Sequence, residues 1–383
     1  MPNNRPIYVC FMLDQLRVGG VESQLLLLLK WLDRTKVKPH LCLLDGSDEL
    51  SRSLEPDDCT VIRLGVRSLR HPSSAWKAIR LGRFLRQHRI DVLQTFFADS
   101  KYFGTPVARL AGVRGIARSR LDIGFWVRPI DRWLGRIYSR MIDATLTNCE
   151  ACRQSVIHDE LACPDSVAVI PNGLVLSRFT DLAAPEQHNV RTQRVGVVAN
   201  LRTVKNLDLF VQAAKAIAES HPGSQFLLAG EGETRPELEA LIESLGIQSR
   251  CQLLGRVDDV PKFVGSLDVA VLCSSSEGAP NAITEYMAAA RPIVATSVGG
   301  NAELIEDEIH GLLVPSGSVE HLTAAIARLL DDRTLAAKLA GNARERAIRE
   351  YSVETYARRY ESFYSELLQM KRGETPGDGV PRT

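Results

Sequence analysis

Two carboxylates, Glu277 and Glu285, stand in one short stretch with seven residues between them. Two cations, Arg202 and Lys205, stand together earlier in the chain. Carboxylates accept hydrogen bonds from hydroxyl groups. An arginine offers phosphate a planar bidentate contact, and a lysine a compact point charge. This set of side chains suits a ligand that carries both phosphate and hydroxyls. Asn281 and Glu285 are four apart, so on a helix they share a face and lean toward its N-terminus. A helix starting near Pro280 or Asn281 presents free N–H groups and the positive end of its dipole, which together favour an anion. Two glutamates at this spacing also occur on ordinary solvated helices, so the spacing alone is a weak signal.

The surrounding elements must bring these groups together. Residues 268–273 form a short apolar run of the kind that makes a buried strand, and the small-residue loop 274–279 leads from it into the helix. Arg202 and Lys205 lie at another strand-to-helix junction, after the apolar run 195–199. A helix dipole disfavours solvated cations at that end, which argues for an anionic partner. Strand and helix patterns alternate throughout, as parallel sheets covered by helices require. In the first half, strands are expected near 7–13, 37–44, 59–64, 91–96, 114–119, 144–148 and 166–170. Helices are expected over 73–88, 100–111, 129–142 and 149–161, after a Leu-rich helix ending near 32. The second half adds strands at 195–199, 226–229, 251–254, 268–273 and 310–314, then helices over 318–331, 333–350 and 353–371. Gly19-Gly20 after the first strand either let backbone approach a phosphate or make a tight turn, and the strand at 226–229 ends in Gly230-Glu231-Gly232.

The 383 residues, 45% hydrophobic and 24% charged, describe a globular protein of two domains. The expected boundaries are 1–180 and 190–350, joined by a polar linker over about 177–193. A last helix occupies 351–371, and the Pro/Gly-rich tail 372–383 is expected to fray. The apolar run 25–29 stops at Lys30, far short of a bilayer span. The N-terminus has one Arg before a short apolar run and no small-residue cleavage site, so it reads as a strand, and the protein as cytoplasmic. Eight cysteines are scattered through apolar stretches, as in a reduced interior. Cys149 and Cys152 have the gap of a metal or redox pair, but no second pair accompanies them and core packing is the better reading. Net charge is +1, yet residues 61–140 hold 17 Lys and Arg against 4 Asp and no Glu. No nucleic-acid-binding module accompanies this basic region, so no nucleic-acid partner is expected.

The phrase SEGAPNAITEYMAAARPIVATSVGGNAELI resembles the donor-binding segment of the retaining family-4 glycosyltransferases. Its Ser-Glu-Gly, Pro-Asn, second Glu, Met-Ala, Arg-Pro-Ile-Val-Ala-Thr, Gly299-Gly300 and Glu303 carry the likeness. It departs from the usual wording at Ala279 (an aromatic), Tyr286 (Ala) and Ala290 (Gly). Gly-Gly-Val-Glu at 19–22 and VAVIPNGL at 167–174 are further phrases of that family. The resemblance spans nearly the whole chain and is most specific over 195–315. It implies a GT-B fold, with two Rossmann-like domains whose parallel sheets face across a cleft and a last helix crossing back to the first domain. It also implies transfer of a sugar from a UDP- or GDP-sugar to a lipid-linked or polysaccharide acceptor, with retention.

By that likeness, Glu285 binds the donor ribose hydroxyls. Glu277 contacts the transferred sugar or steadies its developing positive charge. Lys205 binds the diphosphate, with Arg202 standing in for a family arginine placed where Asn200 or Leu201 occurs here. Gly278, Ala279, Asn281 and Ala282 offer backbone N–H groups to sugar and phosphate. Gly255, Arg256 and Val257 flank the base, and Gly19, Gly20, Asn200 and Gly230 complete the donor surround. There is no Asp-x-Asp motif, and the adjacent pairs Asp57-Asp58, Asp258-Asp259 and Asp331-Asp332 fall in turns or helix ends. No metal and no other cofactor is therefore expected.

The first domain departs from its relatives. Many carry histidines after the fourth strand, where this chain has Phe96 and Phe97 with Asp99 as the nearest ionisable group. Asp99 either orients an acceptor hydroxyl or caps the next helix. Arg128, Arg132, Arg136 and Arg140 form a basic stripe opposite Ile130, Trp133, Leu134, Ile137 and Met141. That helix either packs on the core with a solvated outer face or, with Trp126 and Trp133, rests on the inner face of an anionic membrane. A sugar-nucleotide epimerase of similar fold and a non-catalytic sugar-nucleotide binding protein are the rival readings.

Overall fold

The computed structural model describes residues 5–17, 19–45, 48–66, 68–69, 71–123, 135–180, 182 and 192–371. The expected tail 372–383, most of the linker, Trp126, Arg128, Ile130, Arg132, Trp133 and Leu134 lie outside them. The chain divides into two units, one of Met1–Gly173 with Val353–Thr383 and the other of Leu174–Ser352.

Among the described residues the first unit holds seven strands: β1 (Ile7–Leu13), β2 (Val37–Leu43), β3 (Thr60–Arg63), β4 (Val92–Thr95), β5 (Gly115–Ser119), β6 (Ala144–Thr147) and β7 (Val167–Val169). They pair in parallel in the order β3-β2-β1-β4-β5-β6-β7. Because strand side chains alternate, β1 serves two cores. Val9, Phe11 and Leu13 face a cluster with the helices Gly20–Trp31 and Val353–Met370, while Cys10 and Met12 face one with Ser74–Gln87. Burying a side chain the size of Phe11 contributes roughly 1.5–3 kcal/mol. Tyr364 of the last helix donates to the buried Gln94 of β4, which in turn donates to Ser119 of β5 at 2.8 Å. That chain satisfies each polar group it buries.

The second unit's strands are β8 (Arg194–Val198), β9 (Gln225–Ala229), β10 (Cys251–Gly255), β11 (Val269–Leu272), β12 (Ile293–Thr296) and β13 (Leu312–Val314). All are parallel, in the order β10-β9-β8-β11-β12-β13. β12 comes from the Arg-Pro-Ile-Val-Ala-Thr phrase, which was read above only as a motif. Helices Leu207–Ser220 and Val319–Asp331 share a core with the sheet, which includes Phe210 and Phe226. All eight cysteines are unpaired; seven are buried and Cys163 is exposed. Among the described residues no helix is long and apolar enough to cross a membrane.

Each sheet reverses its strand order once, between β1 and β4 in the first unit and between β8 and β11 in the second. Crevices outside the carboxyl ends of such neighbours are where open α/β sheets bind ligands.

Candidate functional site

In the second unit that crevice starts where β8 and β11 part. They pair only at Val195 with Val269 and Gly196 with Ala270. Beyond these pairs the hydroxyl of Tyr286 enters, accepting from the Val198 N–H at 2.8 Å and donating to the Val271 carbonyl at 3.3 Å. It satisfies two backbone groups that diverging strands would otherwise leave unpaired. Burial, with Glu285 and Glu277 nearby, holds its phenol above the ordinary value. Tyr286 stands where the family phrase has Ala, and its hydroxyl is a structural tie at the floor of the crevice.

Two loops rise from this floor. After β8 the chain passes Asn200 and Arg202, makes a single 3-10 turn over Thr203–Lys205, and enters the helix Leu207–Ser220 through Asn206 in the left-handed region (φ 51°). After β11 comes the loop with Ser274 and Glu277, and then the helix Asn281–Ala288, whose N-cap is Pro280 in extended conformation. The loops are stitched together. Ser275 N–H donates to the Val204 carbonyl at 2.9 Å, and the Cys273 thiol to the Lys205 carbonyl at 3.4 Å. Burial pushes that thiol up to about 12, so it stays protonated.

Across the seam the Lys205 ammonium meets Glu277 Oε1 at 2.5 Å, and Ser274 Oγ donates to the same oxygen at 2.6 Å. The two side chains are only 20% and 10% exposed, so water screens the pair weakly. A charge-assisted hydrogen bond of this kind contributes about 1.5–3 kcal/mol. Two features hold the Glu277 loop from behind. Thr296 Oγ1 donates to the Ser274 carbonyl at 2.6 Å, and Asn301 Nδ2 to the Thr296 carbonyl at 2.9 Å. Gly299, at φ +48°, lies so close that a Cβ there would stand 1.9 Å from the Glu277 carbonyl oxygen. Ser274 escaped the sequence reading because nothing in its local pattern marks it, and Thr296 and Asn301 were visible only as parts of the family phrase, without a role. Gly299 was visible as part of Gly-Gly, although its reason was not.

Glu285 lies one turn into the helix, partly buried, and its carboxylate accepts no hydrogen bond from the described residues. Burial raises its pKa from 4.5 to about 7, and Arg178, of the 3-10 turn Leu176–Phe179, pulls against this rise. Arg202 is exposed. Asn281 and Ala282 are half-buried and Ala279 is buried, while the Gly278 carbonyl accepts from the Gly300 N–H at 3.1 Å.

Gly230 serves backbone packing. A Cβ on Gly230 (φ +149°) would stand 1.8 Å from the Ala199 carbonyl oxygen, so the loops after β8 and β9 touch backbone to backbone. Gly230 N–H donates to the Gly255 carbonyl at 2.8 Å, which adds the loop after β10 to the same rim. Arg256 is exposed and Val257 half-buried beside it. Among the described residues no group of three His, Cys, Asp or Glu side chains could hold a metal ion.

Gly19, Gly20 and Asp99 belong to the first unit. Gly19 is the N-cap of the helix Gly20–Trp31, and the Glu22 carboxylate folds back to 2.5 Å from where a Gly19 Cβ would stand. A carboxylate already occupies that helix N-terminus, which disfavours a phosphate cradle there. Asp99 is exposed in the first turn of the helix Ala98–Ala111 and does not cap it, contrary to one of its two expected uses. Ser100 N–H donates to Asp14 Oδ1 at 2.8 Å instead, so the carboxylate that serves this helix comes from the end of β1. Burial raises Asp14 to about 6, with Asp99 pushing the same way. Asp14 and Asp99 thus both stand at the first unit's switch point; Asp14 was missed because its partner lies 86 residues away.

Residues 179–346 match the family model for glycosyl transferases group 1, and residues 19–173 the glycosyl transferase 4-like domain. The chain is 26% identical over 315 residues to the Escherichia coli UDP-Gal:alpha-D-GlcNAc-diphosphoundecaprenol alpha-1,3-galactosyltransferase, covering 76% of this chain and 80% of that one. It is likewise 26% identical to the Mycobacterium tuberculosis GDP-mannose-dependent alpha-(1-6)-phosphatidylinositol monomannoside mannosyltransferase, covering 78% and 83%. Among solved structures, Anabaena HepE in complex with UDP and glucose superposes with a TM-score of 0.82 at 20% identity, over 94% of this chain and 100% of that one.

Proposed function

The chain belongs to the family-4 glycosyltransferases of GT-B fold, and we propose that it moves a hexose from a UDP- or GDP-sugar to a lipid-linked or polysaccharide acceptor, with retention and without a metal. The observation that carries this reading is the contact between Lys205 and Glu277 at the mouth of the β8–β11 crevice. There a cation for phosphate and a carboxylate for sugar already touch.

In this reading the donor diphosphate draws Lys205 away from Glu277, and Arg202 adds a second cation. N–H groups at the start of the helix Asn281–Ala288 meet the remaining phosphate charge. Glu277 is thereby freed to face the transferred sugar, where its charge counts most as positive charge develops at the anomeric carbon. Glu285, one turn along, accepts from the ribose hydroxyls. The acceptor attacks the face the diphosphate leaves, and the departing phosphate oxygen takes the acceptor's proton. No protein base is needed in that step. A lipid-linked acceptor is favoured by the names of the E. coli and M. tuberculosis relatives, whose substrates carry undecaprenol and phosphatidylinositol.

The test is transfer from UDP- and GDP-hexoses in excess chelator, with the product's anomeric configuration read by NMR. Undiminished transfer with retained configuration is expected. Loss of activity that magnesium or manganese restores, or an inverted product, overturns the proposal.

A further inference from the structure

We propose that Tyr286 is a positioning residue for transfer: its hydroxyl, set between β8 and β11, fixes the opening of the donor crevice and so the placement of Lys205, Glu277 and Glu285 against one another. The inference rests on the reading of that crevice as the donor site. Tyr286 is fully buried, so it acts through the groups it holds.

The parallel register decides what the hydroxyl replaces. Val195 pairs with Val269 and Gly196 with Ala270. One step further, the Val198 N–H and the Val271 carbonyl are the two groups that a continued ladder would join directly. Such a bond is about 2.9 Å long. Instead Tyr286 Oη lies between them, accepting from the Val198 N–H at 2.8 Å and donating to the Val271 carbonyl at 3.3 Å. Two bonds through one oxygen take the place of one, which holds the strands apart where the crevice opens. Burial keeps the phenol protonated, so one hydroxyl can accept and donate at once.

Three supports of the donor site meet at that oxygen. β8 runs on into the turn with Lys205, and β11 into the loop with Glu277. Tyr286 itself belongs to the helix Asn281–Ala288, one residue after Glu285. The stitches higher up, from Ser275 N–H to the Val204 carbonyl and from the Cys273 thiol to the Lys205 carbonyl, join the two loops but do not reach that helix. The Ala of the family phrase has no hydroxyl to insert, so the wedge comes with this chain's Tyr286.

The test compares donor hydrolysis by the parent chain, Y286F, Y286A and L329A, with UDP-glucose, UDP-galactose and GDP-mannose as donors. Y286F keeps the ring but leaves the Val198 N–H and the Val271 carbonyl without their partner. Its kcat should fall about tenfold while KM moves by less than about threefold, because misalignment tells on the reacting geometry more than on each contact with bound donor. Y286A removes the ring as well and lets the two strands close on each other; its kcat should fall at least as far, and it carries the test should Y286F not fold. Leu329 lines a pocket with Gln193 and Asp268 at the amino ends of β8 and β11, away from the crevice. L329A should therefore unfold at a lower temperature than the parent and hydrolyse donor at the parent's kcat. A folded Y286F or Y286A with the parent's kcat overturns the proposal. So does an equal loss of kcat in L329A, which would trace the effect to stability alone, and so does a rise in KM at unchanged kcat in Y286F. If the parent hydrolyses none of the three donors, the donor-site reading falls and this inference with it; if the parent is active and the tyrosine variants match it, only the inference falls.

Discussion

Glu285→Gln is expected to stabilise the unliganded protein, but only at high pH. The carboxyl is pushed from 4.5 to about 7 because its charge is buried without a hydrogen-bond donor among the described residues. Between those two values the folded chain keeps a proton that the unfolded chain has released. Stability therefore falls as pH rises through this window, and levels off above about 7. Each pKa unit corresponds to about 1.4 kcal/mol, so the ionised carboxylate costs the fold roughly 3.5 kcal/mol at most, and about half that once its partly open edge is solvated. The glutamine variant has no proton to lose. It should unfold at a higher temperature than the parent at pH 8, and at the same temperature at pH 4.5. Calorimetric unfolding of both proteins across that range makes the comparison. UDP should narrow the gap at pH 8, since hydroxyl donors compensate the charge in the parent alone. A glutamine variant less stable than the parent by one margin at every pH would contradict a buried, uncompensated charge and make Glu285 an ordinary structural acceptor.

Two further outcomes follow from backbone geometry. Ala290 sits at φ 50°, where an L side chain is strained by roughly 1–2 kcal/mol, so Ala290→Gly should stabilise by about 0.5–1 kcal/mol after the glycine's entropy cost. Thermal unfolding should show a rise of about 2 °C. Gly299→Ala would place a methyl against the Glu277 carbonyl and displace that loop, so donor hydrolysis by the folded variant should fall about a hundredfold.

The alternation of apolar runs and helical segments made the parallel sheets legible, because strands buried on both faces leave continuous apolar runs. Lys205 and Glu277 were legible one at a time, since each follows a strand and precedes a helix. Their contact was not, because it joins residues 72 apart through a strand order the sequence does not display. Residue type left two structural roles unread. Gly230 was legible as a glycine after a strand, but not that it makes room for the Ala199 backbone. Tyr286 was legible as a departure from Ala, but not that its hydroxyl closes a gap between β8 and β11 that exists only once the strands diverge. Asp99 was weighed as a helix cap because caps are usually local, whereas Asp14 reaches that helix from another strand.

Calorimetric titration of UDP and GDP into Glu277→Gln and Glu285→Gln, with donor hydrolysis measured on the same preparations, separates the roles of the two carboxylates in the crevice. Glu285→Gln should lose about 1.5–3 kcal/mol of nucleotide affinity, the worth of a charge-assisted hydrogen bond to ribose. Glu277→Gln should bind the nucleotide as well as the parent or better, because Lys205 is released from its present partner. Its hydrolysis rate should nevertheless fall, since its carboxylate acts on the charge that develops in the sugar. If Glu277→Gln loses nucleotide affinity while Glu285→Gln binds normally, the two roles are reversed. If neither variant changes binding or rate, the crevice between β8 and β11 is not the donor site.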